Sequence, residues 1–309
     1  MDLVTLTDIQ AAAALIAPAV VRTPLLPQDD GLWLKPESLQ RVGAFKIRGA
    51  YHALARLPEQ VRARGVIAYS SGNHAQAVAS AAALFGIKAT IVIPDNAPAV
   101  KIEATRAHGA EVVLVPMPER ESRARELAEA TGATLVPPFD HPDVIAGQGT
   151  IGLEVLADLP DVATVLVPVS GGGLISGVAA AVKALRPSAA VVGVEPELAA
   201  DAAESFRAGA RVPWSPADRA RTVADGLRAE LSELTFAHLR AFVDDVVTVS
   251  EGEILDAVRV LARRARLVVE PTGAVAVAAH LKSPRPGKTV AVVTGGNVDP
   301  EVFARILSS

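Results

Sequence analysis

The chain has 309 residues, half of them apolar and 4% aromatic, with no cysteine and a formal charge of -4. That charge leaves no basic field for a nucleic acid, and the few aromatics leave little for base stacking. Without cysteine there are no disulfides, thiolate metal sites or thiol nucleophile, which fits a reducing compartment; the length suggests about two domains.

The apolar run at residues 11–21 follows Asp2 and Asp8 rather than a basic segment, so it does not read as a secretory signal. It is too short to span a bilayer, and it predicts a buried helix ending near Pro18. No other apolar run reaches membrane length, so the expectation is a soluble, cytoplasmic protein with no membrane or nucleic-acid partner. From residue 65 short β-rich runs alternate with helical ones. Strands are predicted at 66–69, 89–93 and 112–115, and helices at 73–85, 97–108 and 119–130. Gly86, Gly109 and Gly132 close those helices. The alternation repeats with a helix at 143–159, a strand at 165–169, a helix at 174–185 and a strand at 191–194. Residues 201–225, with Pro213, Trp214 and Pro216, predict an irregular connection. A strand at 246–249, helices at 251–265 and 273–281, and a strand at 290–293 complete the pattern. Such alternation implies parallel strands with crossover helices. No solenoid repeat and no low-complexity linker appears, so two closely packed domains are expected, with the chain crossing between them more than once.

Four stretches carry chemistry. Ser170-Gly171-Gly172-Gly173 lies between a predicted strand and helix, where glycines bring successive N–H groups to one point and the helix adds its positive end. This is a phosphate cradle without the spacing of a P-loop or a dinucleotide site; a plain tight turn is the blander reading. Ser70-Ser71-Gly72-Asn73-His74 occupies a similar junction. Simple capping accounts for one donor there, and a bound carboxylate accounts for several. Thr294-Gly295-Gly296-Asn297 ends a strand at the edge where open α/β sheets bind ligands. Lys46, in Phe45-Lys46-Ile47-Arg48-Gly49, is an isolated lysine by itself. With these partners it reads as the amine that joins an aldehyde cofactor carrying a phosphate. Glu195 and Asp201 can share a hard cation through oxygen ligands, although two loop carboxylates are more often just solvated. Glu270 begins Glu-Pro-Thr-Gly-Ala, which a helix start alone explains.

The order Phe-Lys-x-Arg-Gly-Ala, Ser-Ser-Gly-Asn-His, glycine loop, Glu-Pro-Thr-Gly-Ala and Thr-Gly-Gly-Asn resembles the fold type II pyridoxal-phosphate enzymes, on the threonine/serine dehydratase and serine racemase branch. The likeness runs from about Thr23 to Pro300, with Gly147-Gln148-Gly149-Thr150 and Ala224-Asp225-Gly226 as smaller matches; Lys35-Pro36-Glu37-Ser38-Leu39-Gln40 precedes the Lys46 stretch. It implies a two-domain α/β fold, tryptophan synthase β-like, with parallel sheets and helices on both faces. Residues 1–40 and 143–309 would form the large cofactor domain and 41–142 the small one. It implies that Lys46 holds pyridoxal 5'-phosphate, Phe45 packs beside the ring, and Asn73 meets the 3-hydroxyl oxygen. Glu270 joins these cofactor contacts. Ser170, Gly171, Gly172, Gly173 and Leu174 would take the phosphate, and Thr294 the pyridine nitrogen. Ser70, Ser71, Gly72, Asn73 and His74 would surround the substrate carboxylate, with Ser71 the acid/base on the second face. Glu195, the Ala199 carbonyl and Asp201 match a divalent-cation site, for Mg2+ or Ca2+. Departures are Ser170 for a glycine, Ala44 for a serine, Ala75 for a glycine and Thr294 for a serine.

The activity implied is β-elimination from L-threonine or L-serine, giving a 2-oxo acid and ammonia, by a homodimer. Racemisation by Lys46 and Ser71 competes with it. So does 3-hydroxyaspartate dehydration, for which Arg120 or Arg123 would meet a second carboxylate unless they are exposed helix charges. From another class, a non-catalytic phosphate-ligand binding protein competes. No regulatory domain of the kind found on biosynthetic threonine dehydratases is expected.

Overall fold

The computed structural model describes residues 2–308. Among these, the strands form two sheets. The smaller contains β3 (Val66–Tyr69), β4 (Ala89–Pro94), β5 (Glu111–Val115) and β6 (Thr134–Leu135), in the order β5-β4-β3-β6 and all parallel. The larger contains β1 (Leu26–Pro27), β2 (Leu32–Pro36), β7 (Thr164–Pro168), β8 (Ala190–Pro196), β9 (Asp245–Val249) and β10 (Thr289–Val293). Its order is β1-β2-β10-β7-β8-β9, parallel except for β1, which pairs antiparallel with β2. Every residue of β7 and β10 is buried, the pattern of strands covered by helices on both faces. Two apolar clusters line this sheet, one built on the helix Gly173–Leu185 and the other on the helix Pro271–Lys282. A third surrounds the small sheet.

The predicted crossover elements are present with ends shifted by a few residues. The first helix, Leu6–Ile16, ends just before Pro18. Residues 201–225 contain the helix Asp201–Ala208 before the irregular stretch, and the helix predicted at 251–265 is α-helical to Val260 and then a π-turn over Leu261–Ala265. The helices Lys46–Arg56, Glu59–Arg62, Pro216–Arg219, Glu233–Phe242 and Pro300–Ser308 and the strands β1, β2 and β6 are additional. No described helix is long and apolar enough to cross a membrane.

The helix Pro142–Asp158 packs against both Lys46–Arg56 and Gly173–Leu185. Its approach to the latter is close. A β-carbon on Gly177 would press on the Ile145 carbonyl and lie 2.5 Å from Gly149 N, so only glycine fits. The turns after β3, β7 and β10 all leave the carboxyl edges of parallel strands, and they carry the residues singled out in the sequence.

Candidate active site

Lys46 opens its helix, which has no side-chain cap at its start. Its Nζ donates to the Pro138 carbonyl at 2.7 Å and lies 5.1 Å from the centre of the Phe45 ring. It has no carboxylate partner among the described residues. Burial pushes its pKa down to about 8. The next residue along, Phe139, packs on the glycine loop. A β-carbon on Gly171 would strike its ring, and one on Gly173 would lie 2.7 Å from its Cβ. Pro138 and Phe139 therefore place Lys46 within a residue's reach of that loop.

Gly172, with φ 85°, caps the helix Gly173–Leu185, and no side chain closes that helix start. Its first N–H groups are free for an anion. Ser170 has an ordinary backbone conformation, so its replacement of glycine leaves the loop unstrained. Its hydroxyl accepts from Ala229 N at 2.9 Å and donates to Ala229 O at 3.3 Å. Leu174 is buried behind the loop.

Thr294 and Asn73 approach from two other strand ends. The Thr294 carbonyl accepts from Phe45 N at 3.0 Å and Ala44 bridges to Gly295, joining the Lys46 turn to β10. The Thr294 hydroxyl, itself buried, donates to Thr272 O at 3.4 Å. Asn73 Nδ2 donates to Glu270 Oε1 at 2.6 Å, and Asn73 Oδ1 accepts from Asn297 Nδ2 at 2.7 Å. Burial, reinforced by Asp225 and opposed by the Asn73 bond, raises the Glu270 carboxyl to about 7. Gly295 touches Glu270 so closely that a β-carbon there would strike the carboxylate. These two asparagines and Glu270 form one chain of hydrogen bonds across the β3 and β10 turns.

The turn Ser70–Gly72 leads into the helix Asn73–Phe85, which also starts without a side-chain cap. Ser70 Oγ accepts from Gly72 N at 3.2 Å. The Ser71 hydroxyl has no hydrogen-bond partner among the described residues and is half-buried. His74 is buried, donates from Nε2 to the Val136 carbonyl at 2.9 Å, and is pushed down to about 3 by burial and then by Lys46. It is a neutral strut beside Lys46. Arg123 pairs with Glu126 on an exposed helix face, away from this turn, whereas Arg120 is near enough to Tyr69 to act on its phenol.

Glu195 and Asp201 face each other apart from this centre, where β8 meets the helix Asp201–Ala208, with Ala199 in the turn between them. Glu195 accepts from Ala202 N and Ala203 N at 3.3 and 2.7 Å. Burial and then the Asp201 charge hold its carboxyl well above the usual range, and burial, opposed by Arg219, raises Asp201 to about 6. No group of three or more His, Cys, Asp or Glu side chains that could hold a metal occurs among the described residues.

The site thus assembles the predicted Lys46, Ser70–His74, glycine loop, Glu270 and Thr294. Pro138, Phe139 and Asn297 complete it. Asn297 stands in the last motif, but Pro138 and Phe139 lie in a stretch with neither periodicity nor a donor pattern. An aldehyde-and-phosphate cofactor fits this set: an amine of lowered pKa, an uncapped glycine loop for the phosphate, and polar side chains between them.

Residues 16–295 match the family model described as pyridoxal-phosphate dependent enzyme. The chain is 47% identical to the L-threonine ammonia-lyase of Thermotoga maritima, over 99% of this chain and 79% of that one. It is 43% identical to the L-threo-3-hydroxyaspartate ammonia-lyase of Saccharomyces cerevisiae, over 98% and 96% of the two chains. It superimposes on the structure of maize serine racemase with a TM-score of 0.93 and 40% identity, covering 99% and 98%. The chain belongs to the fold type II pyridoxal-phosphate-dependent enzymes, on the threonine dehydratase and serine racemase branch.

Proposed function

We propose that this protein is an ammonia-lyase that eliminates the β-hydroxyl of L-threonine or L-serine, leaving a 2-oxo acid and ammonia. The observation that carries the reading is Lys46, an amine with no carboxylate partner and a pKa of about 8, held beside an uncapped glycine loop. Pyridoxal phosphate, when bound, supplies an aldehyde for an amine to join and a sink for electrons at the substrate's α-carbon. Lys46 Nζ would be the anchor for that aldehyde, and as a free amine it would be the base that takes the α-proton. At pH near 8 about half of such amines are uncharged, as a base must be. Ser170, Gly171, Gly172, Gly173 and Leu174 would offer backbone N–H groups to the phosphate. Phe45 would pack beside the ring, Asn73 would meet its 3-hydroxyl oxygen with Glu270 among the cofactor contacts through its bond to Asn73, and Thr294 would offer the ring nitrogen a neutral hydroxyl. Ser70, Ser71, Gly72 and the N–H groups of Asn73 and His74 hold the substrate carboxylate.

Racemisation is the second reading, favoured by the unpartnered Ser71 hydroxyl. One experiment separates these. Protein incubated with pyridoxal phosphate should gain visible absorbance that borohydride fixes and Lys46→Ala abolishes. L-Threonine, L-serine, D-serine and 3-hydroxyaspartate are then scored for oxo-acid and for enantiomer. A protein that stays colourless, or that colours but turns over none of the four, refutes the lyase reading; the second result would leave a phosphate-ligand binding protein.

A divalent cation, Mg2+ or Ca2+, at Glu195, the Ala199 carbonyl and Asp201 is also proposed. Two facing, buried carboxylates of raised pKa support it, since a cation would remove the cost of ionising both. We place the small domain at 41–142, which contains the whole four-stranded sheet, and propose a homodimer.

A further inference from the structure

Two motifs that the site leaves unused, Lys35-Pro36-Glu37 and Gly147-Gln148-Gly149-Thr150, converge with Arg48 inside the protein. Arg48, Lys35 and Glu37 are all 0% exposed. The Arg48 guanidinium makes two forks. Nε and Nη2 donate to Glu37 Oε2 and Oε1 at 2.7 and 2.8 Å. Nη1 and Nη2 donate to Glu154 Oε1 and Oε2 at 2.7 and 2.9 Å. Nη1 also donates to Thr150 Oγ1 at 3.1 Å. Lys35 Nζ donates to Glu154 Oε2 at 2.6 Å, and Thr23 Oγ1 and Gln40 Nε2 donate to the Glu37 carboxylate at 2.8 and 3.0 Å. Two cations face two carboxylates, so the cluster is neutral and its groups are well satisfied.

Stability alone explains such a cluster poorly, because apolar side chains of equal volume often serve as well or better. A planar guanidinium gripped by two carboxylates does fix one geometry. Arg48 follows Lys46 by two residues in the first turn of the same helix. Successive helical residues rotate by about 100°, so the two side chains leave the axis about 200° apart. The helix start lacks a side-chain cap, and Phe45 N to Thr294 O is its tie on the β10 side. Arg48 ties it elsewhere, to the turn after β2 through Glu37 and to the helix Pro142–Asp158 through Glu154.

We propose that Arg48 is the positioning residue for Lys46, its forks with Glu37 and Glu154 setting the rotation and depth of the helix turn that presents Nζ. This rests on Lys46 being the cofactor-bearing amine. Arg48→Lys keeps the charge and loses both forks. It should lower kcat about 100-fold, the scale of an error of about 1 Å, with KM changed by no more than about threefold. Cofactor-free Arg48→Lys should also take up pyridoxal phosphate about tenfold more slowly, read as growth of visible absorbance. Val258→Ala, which opens a cavity in the buried face of the helix Glu251–Val260, in an apolar cluster that includes none of the residues assigned to the site or to the Arg48 cluster, supplies a protein of lowered urea midpoint with kcat and uptake near wild type. Glu37→Asp retains every charge and retracts one fork by a carbon; it should lower kcat and uptake in the same direction, and it serves if Arg48→Lys does not fold. A folded Arg48→Lys or Glu37→Asp protein that, like Val258→Ala, loses only stability would overturn the proposal. A wild-type protein that never colours would instead overturn the reading of Lys46.

Discussion

Replacing Lys46 by methionine should make the cofactor-free protein more stable at neutral pH. The amine has a pKa of about 8 in the fold against 10.5 in an unfolded chain. At about 1.4 kcal/mol per unit, keeping it protonated inside costs up to about 3 kcal/mol below pH 8. The side chain is only partly buried, and solvent screening reduces this to about 2 kcal/mol. Methionine loses the bond to Pro138 O, which takes back about 1 kcal/mol. The net gain at pH 7 is therefore about 1 kcal/mol. Its sign depends on pH in a defined way. Between 8 and 10.5 the unfolded chain holds a proton that the folded chain has released, so wild-type stability rises with pH through that window. The advantage of Lys46→Met should be full below pH 8, vanish at about pH 9 and become a deficit of about 1 kcal/mol by about 10.5, where only the lost bond to Pro138 O remains. Urea unfolding of both proteins stripped of cofactor, followed by the fluorescence of Trp33 and Trp214, measures this at pH 7 and pH 10. A less stable Lys46→Met protein at pH 7, or a difference that ignores pH, would refute the reasoning. Saturating pyridoxal phosphate should reverse the order, because only the wild type gains the linkage.

Gly177→Ala should destabilise the fold by about 2 kcal/mol, since overpacking against Ile145 and Gly149 outweighs the roughly 1 kcal/mol that alanine adds to a helix. A urea midpoint at or above wild type would contradict the close approach. Asp201 has a folded pKa of about 6 against 3.8, so its ionisation removes stability as pH rises through that window. Added Ca2+ or Mg2+ should therefore raise the melting temperature more at pH 7.5 than at pH 5, and chelation should undo the gain. A melting temperature indifferent to cation at both pH values, in wild type and Glu195→Ala alike, would count against the site. Asn73→Ala removes the donor that holds Glu270 down, so that carboxyl should titrate above its present value of about 7, visible by carboxyl-labelled NMR.

Three small-sheet strands, β3, β4 and β5, and the crossovers that follow them are legible in the sequence because glycine or proline punctuates them and the runs alternate cleanly; β6, two residues long, is too short to show a pattern. Lys35 hides β2, since a fully buried lysine in a central strand looks like a loop charge until Glu154 is seen beside it. The helix Lys46–Arg56 is hidden for a related reason: it is polar on average, starts without a cap, and buries Arg48 and His52 among partners from distant segments. Lys46, the glycine loop and the Ser70–His74 turn are legible as motifs because their chemistry is local to a few consecutive residues. Phe139 is not, because its role depends only on the space above Gly171 and Gly173. The raised carboxyls of Glu195 and Glu270 likewise depend on burial, which spacing along the chain does not reveal.

The pair of bonds between the Ser170 hydroxyl and Ala229 imitates a rung of β-ladder, with a side chain standing in for backbone. An engineer could not move residues 170–173 into another scaffold as a self-contained cassette. The loop would arrive without the strand of main chain that its serine leans on. Conversely, insertions near residue 229, on a surface where length changes are usually tolerated, would be felt at the N–H groups of the glycine loop one hydrogen bond away.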